Sequence, residues 1–232
     1  MLHVAASQPL LQAASLQLYM ASYMTSNLEG KTLKVIFIGD SNVGKTSIFK
    51  LYMHHKVDLK TISTIGVETR ENIIYTKDSD EKVLLYVHDT AGSERFKSVT
   101  CQFYKETDIA CLVYDVTDQD SFYHIGEWKR EIENNAGDRR IQMILIANKC
   151  DKTNEQWRIS PSEGREYAEQ NNMKFIEMSA HYKEDFEKID DIFKEVVGKV
   201  IAEGGGTRTN SSSVTLHQGN ATDQERSSCL KC

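Results

Sequence analysis

The chain has 232 residues, 40% of them hydrophobic, and a net charge of −6. That length suits one domain with an adequate core plus flexible ends. The acidic balance argues against a nucleic-acid partner, because affinity for such a backbone is mainly cationic. The five cysteines are odd in number, and Cys111 falls inside an apolar, strand-like run while Cys101 and Cys150 are scattered. A disulfide scaffold is therefore disfavoured and a reducing, intracellular setting expected. No run reaches the roughly 18 apolar residues needed to span a bilayer, and no internal repeat is present.

Residues 1–30 read as a flexible extension. Up to residue 28 they carry no Lys, Arg, Asp or Glu, only His3. A secretory signal would want a basic start and an unbroken apolar centre, and a mitochondrial presequence would want arginines. Either a weak amphipathic helix or disordered chain fits, and translation starting at Met20 or Met24 would remove most of it. Residues 1–23 are expected to be dispensable for ligand binding.

From residue 31 to 202 strand and helix signals alternate. Leu33–Ile38 is a near-continuous apolar run, as a strand buried on both faces should be. Thr46–Met53 follows as helix. Val67–Tyr75 and Lys82–His88 read as a hairpin joined by the turn-like Lys77–Asp80. Ile109–Tyr114 is the next buried strand. Phe122, Ile125, Trp128 and Ile132 then recur at helical spacing, with Asp120 or Ser121 as cap and Gly137 near the end. Ile141–Ala147 is another buried strand. Ser160-Pro161-Ser162-Glu163 reads as a capping box opening a helix to about Gln170. Lys174–Met178 is the last strand, and Phe186 to Ile201 marks one face of a long final helix. The alternation predicts an α/β fold in three layers: a six-stranded, mostly parallel sheet with one antiparallel edge strand and about five helices. Residues 203–232, rich in Gly, Ser, Thr, Asn and Gln, read as a disordered tail.

One stretch organises the rest. Gly39-Asp40-Ser41-Asn42-Val43-Gly44-Lys45-Thr46 fits the phosphate-loop pattern G-x-x-x-x-G-K-[ST] at every constrained position, between a strand and a helix. Backbone N–H groups from Ser41 through Ser47 would converge on phosphate oxygens at the helix N-terminus. Lys45 would reach the β- and γ-phosphates and Thr46 would hold Mg2+. This loop alone suits a kinase, an ATPase or a GTPase, all P-loop NTPases. Three further stretches narrow the choice: Asp89-Thr90-Ala91-Gly92, Asn148-Lys149-Cys150-Asp151 and Ser179-Ala180. Each follows the carboxyl end of a strand, where open α/β sheets bind ligands.

In this combination the sequence resembles the Ras-like small GTPases, the Rab branch in particular, over about residues 31–201. Five guanine-nucleotide boxes stand in order: Gly39–Thr46, Thr64, Asp89–Gly92, Asn148–Asp151 and Ser179-Ala180. Rab-like runs accompany them at Ser63–Val67, Glu94–Thr100 and Leu112–Thr117. The resemblance implies GTP and GDP as ligands with Mg2+, held by Thr46, by Thr64 and, through water, by Asp89. It implies that Asp151 accepts from the guanine N1 and exocyclic amine, that Asn148 and the Ala180 backbone read the O6 with Ser179 at the same guanine end, and that Lys149 packs across the ring. Thr64 and Gly92 would sense the γ-phosphate, and hydrolysis would release the loops they anchor. Exchange factor, activating protein, effectors and prenyl-chaperone proteins are the implied partners of an expected monomer.

The chain departs from the family pattern in four places. Ser93 stands where most relatives have the glutamine that orients the attacking water, which predicts slow intrinsic hydrolysis. Asn42 replaces a commoner glycine, a change that Asn tolerates because it accepts left-handed backbone angles. Val57 takes the position of an aromatic that stacks beside guanine. Thr69, His88 and Phe103 occupy the positions of three aromatics that shape the effector surface. The terminal Cys229-Leu230-Lys231-Cys232 resembles tails that carry two geranylgeranyl groups, placing the protein on the cytosolic face of an intracellular membrane. A zinc pair is the competing reading of that spacing, though no second ligand pair accompanies it. Two functions stay in play: a GTP-hydrolysing trafficking switch, and a nucleotide-loaded binding scaffold that seldom hydrolyses. A small-molecule kinase leaves the guanine motif and the tail unexplained.

Overall fold

The computed structural model describes residues 31–57, 64, 67–77, 81–90, 104–135 and 140–208. Its sheet has the order β2-β3-β1-β4-β5-β6, built from β1 (Lys31–Ile38), β2 (Val67–Tyr75), β3 (Lys82–Thr90), β4 (Ile109–Asp115), β5 (Gln142–Asn148) and β6 (Lys174–Glu177). All neighbours are parallel except β2 and β3, so the antiparallel strand is at the edge as the hairpin pattern predicts. A short seventh strand, β7 (Thr207–Arg208), was not foreseen. It pairs antiparallel with Lys31 and Thr32 at the amino end of β1.

Among the described residues five α-helices cover the sheet: α1 (Lys45–His54), α2 (Gln119–Tyr123), α3 (Ile125–Asn135), α4 (Pro161–Gln170) and α5 (Asp185–Ala202). Every residue of β4 and β5 is buried, which is why their sequences read as apolar runs rather than alternations. Side chains leave β1 alternately. Leu33, Val35 and Phe37 join one apolar layer with Ile48 and Phe49 of α1 and Phe193 and Val197 of α5. Ile36 and Ile38 join the opposite layer with Ile125, Trp128 and Ile132 of α3 and Ala168 of α4.

Two local readings need correction. The helix expected from the Phe122–Ile132 spacing is broken at His124 into α2 and α3. Its cap is Asp118, not Asp120 or Ser121: the Asp118 side chain accepts from the N–H groups of both. The capping box at α4 forms as expected, with Ser160 accepting from Glu163 N–H and Glu163 returning to Ser160. Gly137 and Asp78–Asp80 lie outside the described residues. Among the described residues no helix is long and apolar enough to cross a membrane.

Candidate functional site

The site forms where β1, β3, β5 and β6 end. After Ile38 the chain turns through Gly39 to Gly44 and enters α1 at Lys45. Two glycines are demanded here. Gly39 has φ +145°, and a Cβ on it would sit 2.2 Å from the Val113 carbonyl oxygen of β4. Gly44 has φ +98°, and its Cβ would sit 2.2 Å from Asn148 Nδ2. Asn42 adopts φ +66°, the left-handed conformation its side chain tolerates.

Lys45 is buried, and its Nζ donates to the carbonyls of Gly39 at 2.9 Å and Asp40 at 2.6 Å. The ammonium is thus curled back over its own loop. Thr46 Oγ1 lies 2.5 Å from Thr64 Oγ1 and donates to Asp89 Oδ2 at 2.6 Å. Three chain segments far apart in sequence therefore bring three oxygens together beside one cation.

Electrostatics mark the same place. Burial lowers the Lys45 ammonium to about 8, against the pull of Asp89 and Asp40. Burial raises the Asp89 carboxyl to about 6, against the Thr46 hydrogen bond and the Lys45 charge. Asp89 Oδ1 is buried and has no hydrogen-bond partner among the described residues. An orphaned carboxylate oxygen next to two hydroxyls suits a hydrated hard cation, and a buried ammonium at a helix N-terminus suits phosphate. Among the described residues no group of three or more His, Cys, Asp or Glu could hold a metal. An ion here would depend on hydroxyl, phosphate and water oxygens.

A second cleft adjoins the loop, with a volume of about 170 Å³ and Asn42, Gly44, Asn148, Asp151, Ala180 and His181 among its walls. Asn148 ties it together: Nδ2 donates to the Val43 carbonyl at 2.7 Å, and Oδ1 accepts from Ala180 N–H at 3.2 Å. Asp151 accepts from Ser179 Oγ at 2.6 Å, while Ser179 N–H donates to Asp185 Oδ2 at 2.6 Å. Burial pushes the Asp151 carboxyl up, but hydrogen bonds from Ser179 and Lys152 outweigh it and hold the group below its ordinary value. The cleft thus presents a fixed anion at one end and backbone N–H groups at the other.

The Ras family profile matches residues 34–202. The chain belongs to the Ras family, among its Rab-type small GTPases. It is similar to Ras-related protein Rab-18 of Lymnaea stagnalis, 32% identical over 185 residues that cover 80% of this chain and 88% of the relative. It is 33% identical to Ras-related protein Rab-13 of Canis lupus familiaris over 180 residues, covering 77% and 85% respectively. With Ras-related protein Rab11A of Lotus japonicus it shares 39% over 147 residues, 63% of each chain.

In this Rab-type chain the residues expected at the site divide into three groups. Ser41 to Ser47 make up the loop and the start of α1, with Thr64 and Asp89 brought to Thr46, and Asn148, Lys149, Asp151, Ser179 and Ala180 line the adjoining cleft. Gly92, Ser93, Phe103, Cys229 and Cys232 lie outside the described residues. Val57 packs against the apolar layer of α1 and α5, and the walls of the cleft do not include it. Lys149, in a left-handed conformation, pairs its Nζ with Asp115 Oδ2 at 2.6 Å. Sequence reasoning missed Asp115, Asp185 and His181. Asp115 lies within the Rab-like run Leu112–Thr117 and ends β4, so the strand-end rule applied there would have found it.

Proposed function

We propose that the chain binds GTP and GDP, hydrolyses GTP slowly, and recruits effectors to an intracellular membrane as a trafficking switch. The observation that supports this most is the meeting of Thr46, Thr64 and Asp89 beside the buried Lys45. Lys45 and the loop N–H groups would bind the β- and γ-phosphates. Thr46 and Thr64 would hold Mg2+ directly and Asp89 through water. Bound there, Mg2+ neutralises charge on the phosphate oxygens.

Asp151 would accept two donors from guanine that adenine lacks, and an unpaired buried carboxylate is costly enough to reject ATP. Thr64 would be drawn in by a γ-phosphate together with Gly92, so that loss of the phosphate frees both loops. Ser93 is too short to orient water as glutamine does. Turning off would then depend on an activating protein, since an arginine supplied in trans is worth about 10³ to 10⁵ in rate. Cys229 and Cys232 would carry lipid, two chains anchoring stably where one does not.

Binding and single-turnover hydrolysis of GTP, with ATP in parallel, test the reading. Tight GTP binding, slow hydrolysis and no ATP binding are expected; equal affinity for ATP overturns it. The Ser93 substitution favours one alternative, a GTP-loaded scaffold, which would show no turnover even with activating proteins.

A further inference from the structure

The carboxylate of Asp40, second residue of the phosphate loop, is gripped at both oxygens from outside the loop. Trp128 Nε1 donates to Oδ1 at 2.7 Å, and His124 Nδ1 stands 2.7 Å from Oδ2. The carbonyl of the same Asp40 accepts from Lys45 Nζ at 2.6 Å. One residue therefore joins the α2–α3 corner to the ammonium of the phosphate site.

The corner is built for this. His124 is the break between α2 and α3: its N–H donates to the Asp120 carbonyl, and its own carbonyl accepts from the N–H groups of Glu127 and Trp128. His124 and Trp128 are four residues apart, on one helical face. Trp128 is fixed in the apolar layer with Ile36 and Ile132, whereas the His124 ring is half exposed. The indole supplies a rigid donor and the imidazole a titratable one.

We propose that Trp128 and His124 are positioning residues: by clamping Asp40 they hold the first turn of the phosphate loop and the seat of Lys45, so that nucleotide retention depends on the charge at His124. This rests on the reading that Lys45 meets nucleotide phosphates. Asp40 from the loop, Asp120 from α2 and Glu127 from α3 face the imidazole, and Lys45 faces Asp40 from the other side. The Asp40 hydrogen bond and charge raise the imidazole above its ordinary 6.5. The clamp is therefore charge-assisted below about 6.5 and weakens as pH rises through the raised value. Charge-assisted hydrogen bonds are roughly twice as strong as neutral ones.

The test is release of fluorescent GDP from the full-length protein, with Mg2+, between pH 6 and 8.5. His124→Gln keeps a neutral donor and removes the titration. It should release GDP about fivefold faster than wild type at pH 6, the ratio falling toward one at pH 8.5. Titration of Asp89, Lys45 and the phosphates is common to both proteins and cancels in the ratio. Trp128→Phe keeps the apolar packing, and should release several-fold faster at every pH while keeping the wild-type pH dependence. A ratio for His124→Gln that is constant with pH, or wild-type release from Trp128→Phe, overturns the clamp and leaves the nucleotide reading intact. Wild type that never retains guanine nucleotide sinks both.

Discussion

Thr69 and His88 are direct partners across the β2–β3 pair, and His88 Nδ1 lies 2.7 Å from Thr69 Oγ1. Thr69 is exposed and His88 buried. Burial, aided by the Lys34 charge, pushes the imidazole down to about 4, so the ring is neutral at pH 7. A hydrogen-bonded polar pair thus occupies positions where, by the family resemblance, relatives present aromatic rings to their effectors. The double change Thr69→Phe, His88→Trp should raise affinity for effectors of common Rab-type proteins by tenfold or more, because buried aromatics dominate such interfaces. Pull-down and titration with one such effector check this; unchanged affinity would show that the pair is not what excludes it.

Ser179 is expected to tune the base end of the site. Ser179→Ala removes the donor to Asp151 Oδ1 and the acceptor for His181 N–H. Leaving a partly buried carboxylate short of one donor costs about 1–2 kcal/mol. GDP affinity should fall about 5- to 30-fold, measured by competition, with discrimination against ADP reduced in parallel.

Gly44→Ala should damage both fold and site. The added Cβ meets Asn148 Nδ2 at 2.2 Å on a backbone of φ +98°, so the amide must leave the Val43 carbonyl. A loss of about 1–3 kcal/mol in urea unfolding is expected, together with loss of nucleotide retention. Wild-type stability in the variant would show that the loop relaxes freely.

Ser93→Gln is expected to speed intrinsic GTP hydrolysis by on the order of tenfold in single turnover, about 1.4 kcal/mol of barrier. Equal rates would remove the reason for proposing a long-lived GTP state.

The Cys229→Ser, Cys232→Ser double variant should move from the membrane to the soluble fraction of cells, because the anchor requires the thiols. Persistence on membranes would count against lipidation of these cysteines.

Most of the fold was legible because its central strands are buried on both faces. The run at β4 is apolar up to Asp115, and that at β5 is apolar from Met143 to Ala147, with a box standing at its polar end Asn148. The loop motif was equally plain, since Gly39 and Gly44 are required by contacts of 2.2 Å that no other residue relieves. What stayed hidden was decided by tertiary contact. The helical spacing through Phe122 and Trp128 is unbroken in sequence, and the break at His124 makes sense only once Asp40 stands opposite it. Asp118 was passed over because Asp120 and Ser121 stand closer to the first apolar residue of that helix. The β7 strand has two residues and no periodicity at all. Asp185, which supports Ser179 from the start of α5, looked like an ordinary acidic residue in a first helical turn.

The pairing of β7 with the amino end of β1 fixes where Arg208, the last described residue, stands. Arg208 stands against Lys31, at the pole opposite the loops that follow Ile38, Asn148 and Glu177. A fully extended chain of 24 residues, the number from 209 to 232, reaches at most roughly 80 Å. Were lipid carried at Cys229 and Cys232 as proposed, a tether starting from this pole would hold the molecule like a buoy on a short line. The cleft at Asn148 and Asp151 and the β2 edge would then ride on the side turned away from the lipid, open to protein arriving from solution.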